Sequence, residues 1–211
     1  MAKGDAAGSV ALDLIPVEMI RPRLRGLAVV AVVIGVLVAA VFALFASAGV
    51  AVLVGAIIAV PTALSALLAM RRRIWLSGTT VHARTGLRTK SVDLGVAVSA
   101  ELVVRVARVS QVALRVGDDA RRVTVPLALY TADGGRELEV LALRSLADAL
   151  VSGDLVPAVA MSDALVGQLR AEARGAGLEE RPLYRAVQLA RSASRVPETV
   201  LTDDEVVGLT N

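Results

Sequence analysis

The sequence predicts a membrane α-helical hairpin plus an α+β domain, an antiparallel β roll with a C-terminal helix, followed by extra helices. Three observations carry this. Residues 26–70 form a stretch of 45 without Asp, Glu, Lys, Arg or His, in a chain of 211 that is 55% hydrophobic and only 2% aromatic. From Ile74 the apolar residues recur with period two, the repeat of half-buried strands. After Val140 the repeat becomes helical, and strands first with helices last is an α+β order.

The uncharged block comes first. A single span takes about 20 apolar residues, so this block suits two, at about residues 26–46 and 50–70, turning at Ser47-Ala48-Gly49. Gly35, Ala39, Ala43 and Ser47 repeat every four residues in the first span, and Ala51, Gly55, Ala59 and Ala63 in the second. Small residues at that spacing make smooth faces that let two backbones approach. Pro61 removes a backbone donor and is expected to kink the second span. Ala46-Ser47-Ala48 matches a signal-cleavage triplet. However, the 25 residues before the block contain Asp5, Asp13 and Glu18, and a second apolar stretch follows at once, which favours an anchor. Transporters generally need ionisable groups inside their spans, and neither span has one.

Charge at the flanks gives the orientation. Arg21, Arg23 and Arg25 precede the first span, and Arg71, Arg72 and Arg73 follow the second, while the connection is uncharged. Under the positive-inside rule this is a two-span protein of the cell membrane with both termini cytoplasmic, and the six arginines are its membrane-surface residues. Residues 1–25 are expected to be a flexible cytoplasmic segment, with 10–20 a stretch that could lie on the membrane surface. The basic residues are arginines apart from Lys3 and Lys90, a usage that suits a GC-rich bacterial genome.

In the domain after the membrane, Thr79, Val81, Ala83 and Thr85 alternate with polar residues between the turn signals Ser77-Gly78 and Gly86-Leu87. Thr89–Val92 returns. Ala100 to Val106, Val112 to Val116, Val123 to Leu127, Leu129 to Thr131 and Arg136 to Val140 continue the series. Gly117-Asp118-Asp119-Ala120 and Asp133-Gly134-Gly135 separate them as turns. About seven short strands result. Leu143, Leu146, Ala147 and Leu150 then mark one face of a helix, with Gly153 as its C-cap.

This order, with Trp75, Gly78, Val81, Arg84 and Gly86 at the strand and turn positions after a basic boundary, resembles the bacterial PH-like membrane proteins over about residues 71–152. The resemblance implies a seven-strand roll closed by a C-terminal helix, and contacts with lipid or protein.

The chain therefore divides into residues 1–25, the hairpin 26–70, the β domain 71–153, a helical extension 154–195 and an acidic tail 196–211. In the extension, residues 156–174 read as one helix. Pro182 opens a second, on which Arg181, Arg185, Arg191 and Arg195 form a basic face, either solvated or docked on a membrane or an acidic partner. In the tail, Thr202 and Glu205 form a capping box and Leu201, Val206 and Leu209 supply apolar contacts. The tail is read either as a short helix packed on its own domain or as a partner-docking motif, with Leu201, Val206 and Leu209 as the docking residues.

No catalytic constellation emerges. With no Cys, thiolate metal sites, disulfides and cysteine nucleophiles are excluded. His82 is the single histidine, and no phosphate-binding glycine loop occurs. The expectation is a non-enzymatic protein without cofactor or metal that presents its domain to the cytoplasm for protein–protein interaction, as a scaffold or accessory subunit. The alternative is an anionic-lipid-binding module. Residues 71–90 hold six basic residues and no acid. Beside a span, that run is read as a membrane anchor and not as a nucleic-acid site.

Overall fold

The uncharged block folds into two long helices in the computed structural model, which describes residues 8–45, 47–132, 134–193 and 198–209. Helix α1 is Val17–Phe42 and α2 is Ala48–Ala69. Both are long and apolar enough to cross a membrane. The 22 residues of α2 extend about 33 Å at 1.5 Å per residue. Helix α1 starts well ahead of residue 26, so Arg21, Arg23 and Arg25 ride on its first turns instead of preceding it.

The small-residue stripes face each other at Gly35 and Ala39 against Gly55 and Ala59, whereas Ala43 and Ser47 lie past the end of α1 and are exposed; Ala48 and Gly49, expected in the turn, already belong to α2. A Cβ on Gly35 would lie 2.7 Å from both the Gly55 carbonyl oxygen and the Ala59 Cβ. One on Gly55 would lie 2.5 Å from the Gly35 oxygen and 2.9 Å from the Ala39 Cβ. Only glycine permits that approach, and it sets the register of an antiparallel hairpin. The outer faces are apolar, with Val36, Leu37, Val52 and Ile57 each at least 60% exposed. A monomer in water rarely carries so large an apolar surface.

The chain forms two compact units. One is the hairpin unit, residues 15–73 with 84–88. The other is an α+β unit made of residues 1–14, 74–83 and 89–211, so the hairpin is inserted into it. Two sheets are present. The first is four-stranded in the order β1 (Ser9–Ala11), β2 (Arg73–Ser77), β3 (Thr80–Thr85) and β4 (Arg88–Asp93). The second is five-stranded, with β8 (Gly134–Glu137), β7 (Arg122–Thr131), β6 (Ser110–Gly117), β5 (Ser99–Arg105) and β9 (Glu198–Val200) side by side. Six of the nine strands, β3 to β8, answer to the period-two series, but the stretches 123–127 and 129–131, expected as two strands, form the single strand β7, and β2 was not among the series. Gly78 and Gly86 take left-handed φ of 60° and 61° at the expected turns. Pro126 lies inside β7, where it offers no N–H to the ladder. The β6–β7 register slips there, between Val112 and Ala113, leaving Leu127 as the extra residue.

Helix α3 (Val140–Leu150) follows the strands and buries Leu143, Leu146, Ala147 and Leu150 as expected. Gly153 serves a close approach instead of a C-cap: a Cβ there would lie 2.7 Å from the Gly95 carbonyl oxygen. Helices α4 (Val156–Ala173) and α5 (Pro182–Ser192) share the same core, with α4 packed on β5 and α5 on β5, β6 and β7. This cover explains why Val103, Ala113 and Ala128, on the strand phase expected to face water, are buried too. Gln168, wholly buried on α4, accepts a hydrogen bond from the Leu183 N–H at the start of α5 through its Oε1. It satisfies one of the free donors of that helix end.

Two expectations are corrected. Residues 8–25 are not a flexible segment, nor does 10–20 lie as one surface stretch. Strand β1 pairs with β2, and Leu12 and Leu14 enter the core at 0% and 5% exposure. Asp13 accepts from the Ile74 N–H, and the Leu12 N–H donates to the Ile74 carbonyl. The helical extension and the tail, likewise, are parts of the α+β unit and not modules beyond it.

Candidate functional site

The tail settles first. Leu201, Val206 and Leu209 are 2%, 0% and 3% exposed and belong to the main core cluster. The docking reading for these three residues is therefore corrected: their side chains are already occupied by their own domain. Strand β9 adds to the β5 edge, and the Leu201 N–H donates to the Leu102 carbonyl. Helix α6 (Asp203–Val207) then forms, with the expected capping box between Thr202 and Glu205. Glu198 receives Arg115 at 2.8 Å and Arg105 at 3.7 Å. The Arg185 guanidinium donates to the Leu209 and Gly208 carbonyls.

The basic face of α5 is also partly internal. Arg181 donates to Glu137 Oε2 and to the Ala176 carbonyl, and Glu137 Oε1 accepts from the Tyr130 hydroxyl at 2.6 Å. Burial, reinforced by that bond to Glu137, pushes the Tyr130 phenol well above its ordinary pKa. Arg195 lies outside the described residues, and Arg191 is exposed.

What remains open to surroundings is one end of the hairpin unit. The antiparallel register brings the first turns of α1 beside the last turn of α2, and Glu18 meets Arg73 there at 3.8 Å. Arg23, Arg25, Arg71, Arg72 and Arg73 are exposed and Arg21 half-exposed. The β3–β4 tip, residues 84–88, belongs to the same unit and adds Arg84 and Arg88. All the sequence-predicted surface arginines are thus gathered at one end, together with Arg84 and Arg88 of the basic run 71–90. The opposite end, at Leu44 and Phe45, has no charge and is 78% and 85% exposed.

Trp75 is neither core nor free. It is half-buried, with its ring stacked on the His82 imidazole at 5.1 Å and 13° across the β2–β3 ladder. Among the described residues, no three His, Asp or Glu side chains gather as metal ligands. An open cleft beside β1 and α3 is lined by Val10, Leu76, Thr79 and Ser145 among others, and Asp148 is its one ionisable group. Compared with family models, curated proteins and solved structures, the chain matches none.

Proposed function

We propose that this chain is a non-enzymatic protein anchored in a bacterial inner membrane, with both termini cytoplasmic. In this reading its PH-like α+β unit sits at the cytoplasmic leaflet, where the basic end of the hairpin engages anionic headgroups. The run of strands β2 to β8, shared between two antiparallel sheets and followed by helix α3, supports the PH-like reading, with β1 and β9 as additional edge strands. The observation that carries the function is the polarity of the hairpin. Eight arginines gather at one end of a unit whose other end and spans beyond Arg25 are uncharged and mostly apolar. Juxtamembrane cations of this density are attracted to an anionic leaflet at about 1 kcal/mol each. The scaffold reading is the second one, because Leu201, Val206 and Leu209 are buried in the core and offer a partner no surface.

The absence of cysteine makes the orientation directly measurable. Gly49→Cys lies at the start of α2, and Asp119→Cys in an exposed turn of the α+β unit. A membrane-impermeant thiol reagent on intact cells should label the first and not the second. Labelling of Asp119→Cys would reverse the orientation and remove the cytoplasmic reading. For the lipid, the protein purified in detergent should retain phosphatidylglycerol over phosphatidylcholine. Gln at Arg71, Arg72 and Arg73 should abolish that preference, and an unchanged preference would refute the assignment.

A further inference from the structure

We infer that the tip of the β3–β4 hairpin is a third membrane-contacting element, with the Leu87 side chain entering the anionic leaflet beside the last turn of α2, inside a collar of arginines. This rests on the reading that α1 and α2 span a bilayer, and it names a contact that reading does not contain.

The geometry comes from within the hairpin unit. Gly86 turns the chain with φ +61°, and a Cβ there would lie 3.3 Å from Leu68 Cδ2. The tip backbone therefore rests on the side chain of Leu68, which precedes Ala69, the last residue of α2. Its neighbour Leu67 is 53% exposed, so this turn of the helix faces the surrounding medium. Leu87, next along the tip, is 78% exposed. A turn of this kind in water ordinarily carries Asn, Asp, Gly or Ser. A leucine projecting beside the lipid-facing end of a span meets whatever surrounds that span.

The charge pattern identifies the medium further. Arg84 and Arg88 bracket the tip, Lys90 follows, and Arg71, Arg72 and Arg73 continue from α2. No acid occurs between Met70 and Asp93. An exposed apolar side chain flanked by cations, in the same unit as the basic end of α2, combines the two attractions that hold interfacial segments: acyl-chain contact and anionic headgroups. An acidic protein groove could satisfy the arginines, but it would not account for Leu87 sharing a level with the end of α2.

The test uses the full chain in vesicles of phosphatidylcholine and phosphatidylglycerol, with an environment-sensitive fluorophore on a single introduced cysteine. Leu87→Cys is compared with Ile57→Cys in mid-span and Asp119→Cys in the α+β unit. The label at 87 should be blue-shifted relative to 119. It should be quenched most by a lipid spin-labelled near the acyl carbonyl, and the label at 57 by one labelled near the chain end. Quenching at 57 with none at 87 overturns the proposal and leaves the spans standing. No quenching at 57 overturns the spanning reading, and the proposal with it. Equal quenching at 87 in vesicles of phosphatidylcholine alone overturns the part assigned to the arginine collar.

Discussion

Gly135 is a glycine because of the ring opposite it. It pairs with Tyr130 across the β7–β8 ladder, and a Cβ would lie 2.3 Å and 2.6 Å from Tyr130 Cδ1 and Cε1. With the ring laid over this backbone, its hydroxyl reaches Glu137, and Glu137 in turn holds Arg181 at the entry to α5. Tyr184 closes the arrangement edge-on at 5.1 Å. Gly135→Val forces the ring away and breaks the bond to Glu137. Overpacking and the lost charge-assisted bond together predict a loss of about 2–4 kcal/mol, read from the urea midpoint. An unchanged midpoint would mean that the ring does not depend on the glycine. The same network makes a pH prediction. The folded phenol titrates above its unfolded value of about 10, so its neutral form is favoured in the folded state. Its contribution is complete below about pH 10 and is lost as pH rises above it, since the unfolded phenol then ionises while the folded one does not. Alkaline titration of stability should show this fall, and Tyr130→Phe should flatten it.

Among the elements, the tail decides between two readings that local pattern could not separate. Leu201, Val206 and Leu209 flanking a capped, acidic turn suit a packed helix and a docking motif equally, because both need one apolar face. What distinguishes them is the pairing of β9 with β5, nearly a hundred residues earlier in the chain. Three residues are too few for a period-two signal, and β1, equally short, carries none for the same reason. The longer strands and helices were legible, since their side chains sample each face several times. The hairpin was also legible, because the absence of charge and the spacing of small residues are both local properties. The basic end was only half legible: Arg21 to Arg25 and Arg71 to Arg73 flank the apolar block directly, but the placement of residues 84–88 depends on the fold of β3 and β4. For the tail, Val206→Glu should remove about 3–5 kcal/mol of stability by burying a charge that has no partner, and it should do so without any binding partner present. A wild-type midpoint in that variant would return the tail to the surface.

At the scale of the whole molecule, the hairpin is an insertion, and this changes which fragment can fold alone. A boundary at Ile74, natural from the hydropathy, leaves out β1, Leu12 and Leu14, although all three belong to the α+β unit. Burying two leucines is worth about 3–6 kcal/mol, a large part of the roughly 5–15 kcal/mol that holds a domain together. Without β1, the edge of β2 also loses the partner it has over Trp75 to Ser77. The ends of the insertion are close, since Leu12 and Asp13 both hydrogen-bond Ile74, so a short Gly-Ser linker can replace residues 15–73. That linked chain should unfold in one cooperative urea transition, with a midpoint well above that of residues 74–211 alone. Leu12→Ala within it should move the midpoint back by the share of one buried leucine. Equal midpoints for the linked and unlinked chains would show that the N-terminal strand contributes nothing to the unit. The hairpin would then be an N-terminal attachment and not an insertion.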